Sequence, residues 1–157
     1  MLSGKWTYRS FKNDPALIGD DAAAALALIF GEGIFDFDPV GEDSFHGGLG
    51  MGTGYALTLT GTVLRPGGGA AEQYAIVGHG IAGTNTEGWR YDYRCVRGHS
   101  WPDGVDQLAS LVGTVVRVAA HGPQSPAGFT ASFIAVQQRD PPAGLHATRR
   151  NVLTAGL

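Results

Sequence analysis

The chain holds one cysteine, Cys95, so no intramolecular disulfide can form and nothing in it demands an oxidising compartment. Basic residues are sparse too: eleven Lys and Arg lie scattered among fourteen Asp and Glu, for a net charge of −3. Without a basic stripe to neutralise a phosphate backbone, nucleic acid is not an expected partner. No apolar run reaches the roughly 18 residues that a membrane-spanning helix needs, so no membrane partner is expected either. The spacings H-x-H, H-E-x-x-H and C-x-x-C are all missing, so the local sequence signals no metal site and implies no cofactor. The N-terminus, Met1-Leu2-Ser3-Gly4-Lys5-Trp6, enters predicted structure almost at once and has no apolar h-region, which argues against an intact signal peptide and leaves the cytoplasm as the expected location.

What the chain does have is glycine, 25 of 157 residues, without a collagen-like period. Glycine at that density reads as turns, bulges and close strand contacts in an all-β fold. A hydrophobic fraction of 43% and a charged fraction of 16% fit a packed domain. At this length one domain can bury roughly two thirds of its unfolded surface.

Eight segments alternate apolar and polar residues between clusters of Gly, Pro, Asn and Asp, which predicts strands at 5–11, 33–38, 44–49, 54–65, 73–82, 88–97, 112–119 and 129–138. In 54–65, Tyr55, Leu57, Leu59, Gly61 and Val63 share one face and Thr58, Thr60 and Thr62 the other. In 88–97, Trp89, Tyr91, Tyr93 and Cys95 alternate with Arg90, Asp92 and Arg94, so solvating the charges turns the aromatic row inward. The alanine-rich stretch after Asp20 predicts one helix near 20–30, capped by Asp20 and stopped at Gly31. Hairpin-length links then favour a closed eight-stranded antiparallel up-and-down barrel with that helix between strands one and two. A two-sheet sandwich is the alternative. The barrel domain is expected over 1–139. After Asp140-Pro141-Pro142 the alternation stops, and 140–157 reads as a tail, free or docked on a neighbouring subunit of a homo-oligomer.

Gly4-Lys5-Trp6 at the head of strand one resembles the G-x-W signature of the lipocalin and wider calycin barrels. The resemblance implies a small-molecule-binding barrel whose tryptophan closes the base, with an arginine from the last strand packed across it. Arg139 is the residue that matches. The family's T-D-Y motif is absent, since Asp92-Tyr93 follows Tyr91 inside a strand, and the helix is more like that of the lidded intracellular lipid-binding barrels.

Among residues that can carry chemistry, His46, His79, His99, His121 and His146 read as separate surface or hydrogen-bonded side chains. His46 and His79 converge only if both face inward. The phase of Ile34-Phe35-Asp36-Phe37-Asp38 places the phenylalanines inside and the aspartates outside. Arg9, Glu32, Arg90, Asp92 and Arg94 read as solvated charges. Cys95 shares the aromatic face and reads as a small buried hydrophobe. The run Gly47 to Gly54 reads as a hairpin with bulges, because it lacks the Lys-Ser/Thr ending of a phosphate loop.

The aromatic collection is either barrel packing or a cavity wall, and as a wall its tyrosine hydroxyls need polar partners. One reading is therefore a noncatalytic barrel that binds a small apolar or aromatic molecule among Tyr55, Tyr74, Trp89, Tyr91 and Tyr93. Another is a cofactor-independent isomerase, cyclase or lyase using acid/base groups in the cavity, with no residue assigned a catalytic role. A third is a structural barrel with a filled interior. An open cavity with a titratable group at its floor would favour the enzyme, and an open cavity without one the binder.

Overall fold

Alternation of buried and exposed residues along eight successive segments gives eight strands, each contributing one face to a common interior. A computed structural model describes residues 1–139, and the expected tail at 140–157 lies outside them. The strands are β1 (Gly4–Lys12), β2 (Ile29–Pro39), β3 (Ser44–Gly50), β4 (Ala56–Leu64), β5 (Gln73–Gly80), β6 (Arg90–Arg97), β7 (Ser110–Arg117) and β8 (Thr130–Gln137), with one short helix, α1 (Ala22–Ala27), between β1 and β2. Every strand pairs antiparallel with its neighbours in sequence, and β8 pairs with β1, so the sheet is a closed up-and-down barrel. The sandwich alternative is excluded. Among the described residues no helix is long and apolar enough to cross a membrane.

The helix is shorter than its composition predicts. Asp21, not Asp20, is the N-cap, its carboxylate accepting from the Ala24 N–H at 3.0 Å. At the other end Ile29 and Phe30 leave the helical pattern because the sheet recruits them: Ile29 pairs with Phe11 across a register shift at Ser10/Phe11. Burial of Phe30 against the core outweighs local helix preference. β6 begins one residue after Trp89, and Tyr55 falls in the tight β3–β4 turn, its N–H bonded to the Gly52 carbonyl.

Aromatic rings, interleaved with leucine, valine and isoleucine, run through the interior from end to end. Tyr8, Phe35, Tyr93 and Phe133 form a central layer, with Phe35 4.7 Å from Tyr8 and 5.6 Å from Tyr93, ring centroid to centroid. Below it Phe37, Phe45 and Tyr74 make a second edge-to-face set. The Phe45 ring occupies the space that a Cβ on Gly61 would take in the adjacent strand, which is why that inward position of β4 is glycine.

Beneath these layers, fully buried Leu2 and Trp6 seal one end of the barrel, and the Trp6 indole N–H donates to the Ser3 carbonyl at 2.9 Å. The arginine that the calycin resemblance sets over Trp6 is not there. Arg139 is exposed and donates to Asp106 at 2.9 Å. β8 ends at Gln137, and the Gln138 N–H bonds the Lys5 carbonyl, so the chain turns toward the 98–109 connection and its acidic side chain. At the same end Arg97 lies 5.9 Å from the Tyr74 ring centroid and donates both to its hydroxyl and to the Met1 carbonyl.

Candidate functional site

At the opposite end the connections 13–28, 51–55, 81–89 and 118–129 surround a mouth, and the space beneath it is not filled. The cavity measures about 320 Å³. Its floor is made by Tyr8, Tyr93, Leu49 and Leu57, and its walls and rim by Phe30, Met51, Tyr55, Trp89, Tyr91, Arg117 and His121. That volume lies at the small end of the range for ligand sites, roughly 300–1,000 Å³.

The polar chemistry converges on one phenol. Tyr91, inward on β6, lies 2.6 Å from His121 Nε2, and Arg117 Nε donates to the same hydroxyl at 3.1 Å. Arg117 reaches inward because it shares the face of Leu111, Gly113 and Val115 on β7, where it is only 7% exposed. Its Nη1 donates to the Pro126 carbonyl at 3.1 Å, and its guanidinium carbon sits 5.2, 5.6 and 5.8 Å from the ring centroids of Phe30, Phe129 and Tyr91. The His121 ring stacks on Trp89 at 4.0 Å and 13°. Arg117 therefore fixes the phenol, and the phenol and indole together fix the imidazole.

Burial, and then the neighbouring Arg117 charge, hold His121 below its ordinary value of 6.5, with its own backbone pulling weakly the other way. His121 is thus a neutral imidazole near pH 7, able to accept a hydrogen bond from the Tyr91 hydroxyl. On unfolding, its pKa returns to the ordinary value. As pH falls through 6.5 the unfolded chain therefore takes up a proton before the folded one does, and stability is lost in that window and below it. Melting temperatures measured from about pH 7.5 down to about 5.5 should drop more steeply for the native protein than for His121→Asn; parallel curves would remove the assigned linkage. Burial also pushes the Tyr8 and Tyr93 phenols upward and the Cys95 thiol to about 12, so all three stay protonated. For Cys95 this means a buried, unreactive thiol.

Of the five aromatic residues singled out from sequence, the fold brings Tyr55, Trp89, Tyr91 and Tyr93 to this cavity. Tyr74 is fully buried on the same inner face but at the sealed end, bonded to Glu72 and Arg97. His46 and His79 both point outward, and Lys5 pairs with Asp36 on the outer face. Sequence reasoning did not single out Arg117, His121, Phe30 or Tyr8 as cavity residues. The alternation of β7 gave no phase for Arg117, because Val112 and Val116 are as apolar as Leu111 and Val115. His121 lies in a connection and carried no signal.

No protein-family profile, curated protein or solved structure matches the chain. The architecture is calycin-like in strand number, order and closure, and the functional reading rests on the cavity itself.

Proposed function

We propose that this barrel binds a small, mostly aromatic molecule in its mouth, between the Trp89–His121 stack and the rings of Tyr55, Tyr91 and Phe30, as lipocalin-like barrels do. The observation that carries the reading is an open cavity of about 320 Å³ with an aromatic lining and one convergent polar cluster. The expected location of such a carrier is the cytoplasm, where a single buried thiol stays reduced.

The test uses the neutral dye N-phenylnaphthylamine. Saturable one-to-one fluorescence enhancement is expected, and Met51→Trp, which sets an indole at the half-buried rim, should weaken it by about tenfold or more, a loss of roughly 1.4 kcal/mol. Undiminished binding by a folded Met51→Trp protein would place the dye elsewhere and overturn the reading.

One observation favours a second reading, a cofactor-independent isomerase, cyclase or lyase. The Tyr91 hydroxyl and a neutral imidazole form a proton-transfer pair at the cavity wall, with Arg117 able to stabilise negative charge on the phenol oxygen. Native mass spectrometry of freshly purified protein, followed by denaturation, would identify a retained molecule. Its return unchanged after incubation in deuterated buffer fits the binder, and rearrangement or deuterium incorporation fits the enzyme.

Tyr91→Phe separates structure from binding. Because the hydroxyl is the acceptor for the buried Arg117 Nε, its loss should destabilise the fold by about 1–3 kcal/mol, measured by urea unfolding. A neutral result would mean that Arg117 finds another acceptor.

A further inference from the structure

The partners of Arg117 leave its charge without a counterion. A guanidinium has five N–H donors and remains protonated at any physiological pH. Here Nε is taken by a phenol, Nη1 by a backbone carbonyl, and the plane lies against three aromatic rings, all of them neutral. Among the described residues it makes no salt bridge. The carboxylate at the cavity edge, Glu32, is bound to Arg9 at 3.0 Å across the outer face of β1 and β2.

A nearly buried cation without a paired anion is unfavourable unless the site is completed from outside. Ring faces offset part of that penalty. Among the described residues the remaining nitrogen, Nη2, has no protein acceptor, and no buried polar side-chain atom is left unsatisfied. Nη2 is therefore not sealed in protein, and Arg117 lines the cavity.

Resting on the binding reading above, we infer that the molecule this cavity takes is a small aromatic or unsaturated carboxylate. Its carboxylate sits on Arg117 Nη2, and its flat body lies between the Trp89–His121 stack and the Tyr55 and Phe30 rings. A neutral imidazole beside the guanidinium leaves the positive charge concentrated on Arg117, and a carboxylate is a stronger acceptor for its free Nη2 donor than any neutral head of equal size.

The experiment compares naphthoate with naphthamide, equal in shape and different in charge, by calorimetry on the whole chain. Naphthoate is expected to bind about tenfold more tightly or better, the effect of one hydrogen bond to a charged group. Arg117→Met, which keeps the stem packed against the rings, should erase the preference, whereas Arg94→Met, the same charge change on the outer face of β6, should leave it intact. Equal affinities for the two compounds in the native protein would overturn the carboxylate assignment and leave the binding reading standing. An equal loss in Arg94→Met would overturn it too, because the attraction would then be general charge. Failure of both compounds and of N-phenylnaphthylamine would instead overturn the binding reading. If Arg117→Met does not fold, Arg117→Lys, which keeps the charge but not the reach of Nη2, is expected to retain a reduced preference; an undiminished one would remove the Nη2 contact from the proposal.

Discussion

Phe35→Ala is expected to destabilise the protein by about 3–5 kcal/mol, a large part of the roughly 5–15 kcal/mol that holds a domain of this kind together. Phe35 is fully buried and packs its ring against Tyr8, Phe37, Tyr93 and Phe133, each on a different strand except for Phe37, its neighbour on β2. No neighbour can close the hole without leaving its own layer, so the lost transfer energy and the void add. The hole would also open beneath Tyr8 and Tyr93, the floor of the mouth cavity. Urea unfolding should show a lower midpoint with unchanged slope, and a small arene such as benzene should recover part of the loss. A loss below about 1 kcal/mol, typical of a surface site, would mean that this layer is not a packed core.

Thr86→Val should cost about 2–4 kcal/mol for a change that barely alters side-chain shape. Thr86 is fully buried in the 81–89 connection, where its hydroxyl accepts from the Ile81 N–H at 3.1 Å and donates to the Ala56 carbonyl at 2.7 Å. Valine leaves both backbone groups unpaired, at roughly 1–3 kcal/mol each. The connection depends on Gly80 as well, since a Cβ there would run into the Thr86 carbonyl, which itself accepts from the Trp89 N–H. Because this loop delivers Trp89 to the mouth, N-phenylnaphthylamine binding should weaken along with stability. Thr86→Ser keeps the hydroxyl and should recover most of both. If valine is tolerated as well as serine, the hydroxyl does not hold the loop.

The barrel was legible because most of its strands are half-buried: they carry one apolar face, and a period of two reports that face directly. Height along the barrel is a different quantity, and alternation is blind to it. Tyr74 and Tyr91 both point inward, yet the β5–β6 register pairs Tyr74 with Cys95, four residues down the strand from Tyr91, so one tyrosine serves the sealed end and the other the mouth. Arg117 was obscured because both faces of β7 are apolar, with Val112 and Val116 outside and Leu111 and Val115 inside, which leaves its phase undetermined from sequence. Arg139 was drawn away from Trp6 by Asp106, a pairing that depends on where a connection of twelve residues between β6 and β7 happens to fold. His121 meets Tyr91 across 30 residues, through a loop that carries no periodicity.

The closure of the sheet also constrains how the chain can reach this state. Seven of its strand pairings join segments adjacent in sequence, and each can form as a local hairpin. The eighth joins Trp6 to Gln137 and Lys12 to Ala131, nearly the full described length apart. Loop-closure entropy weighs most on that long-range seam, so the meeting of the first and last strands is expected to be the slow step of folding. Until they meet, two copies of the chain offer each other the same complementary edges, and at high concentration exchange of a terminal strand between molecules competes with closure within one.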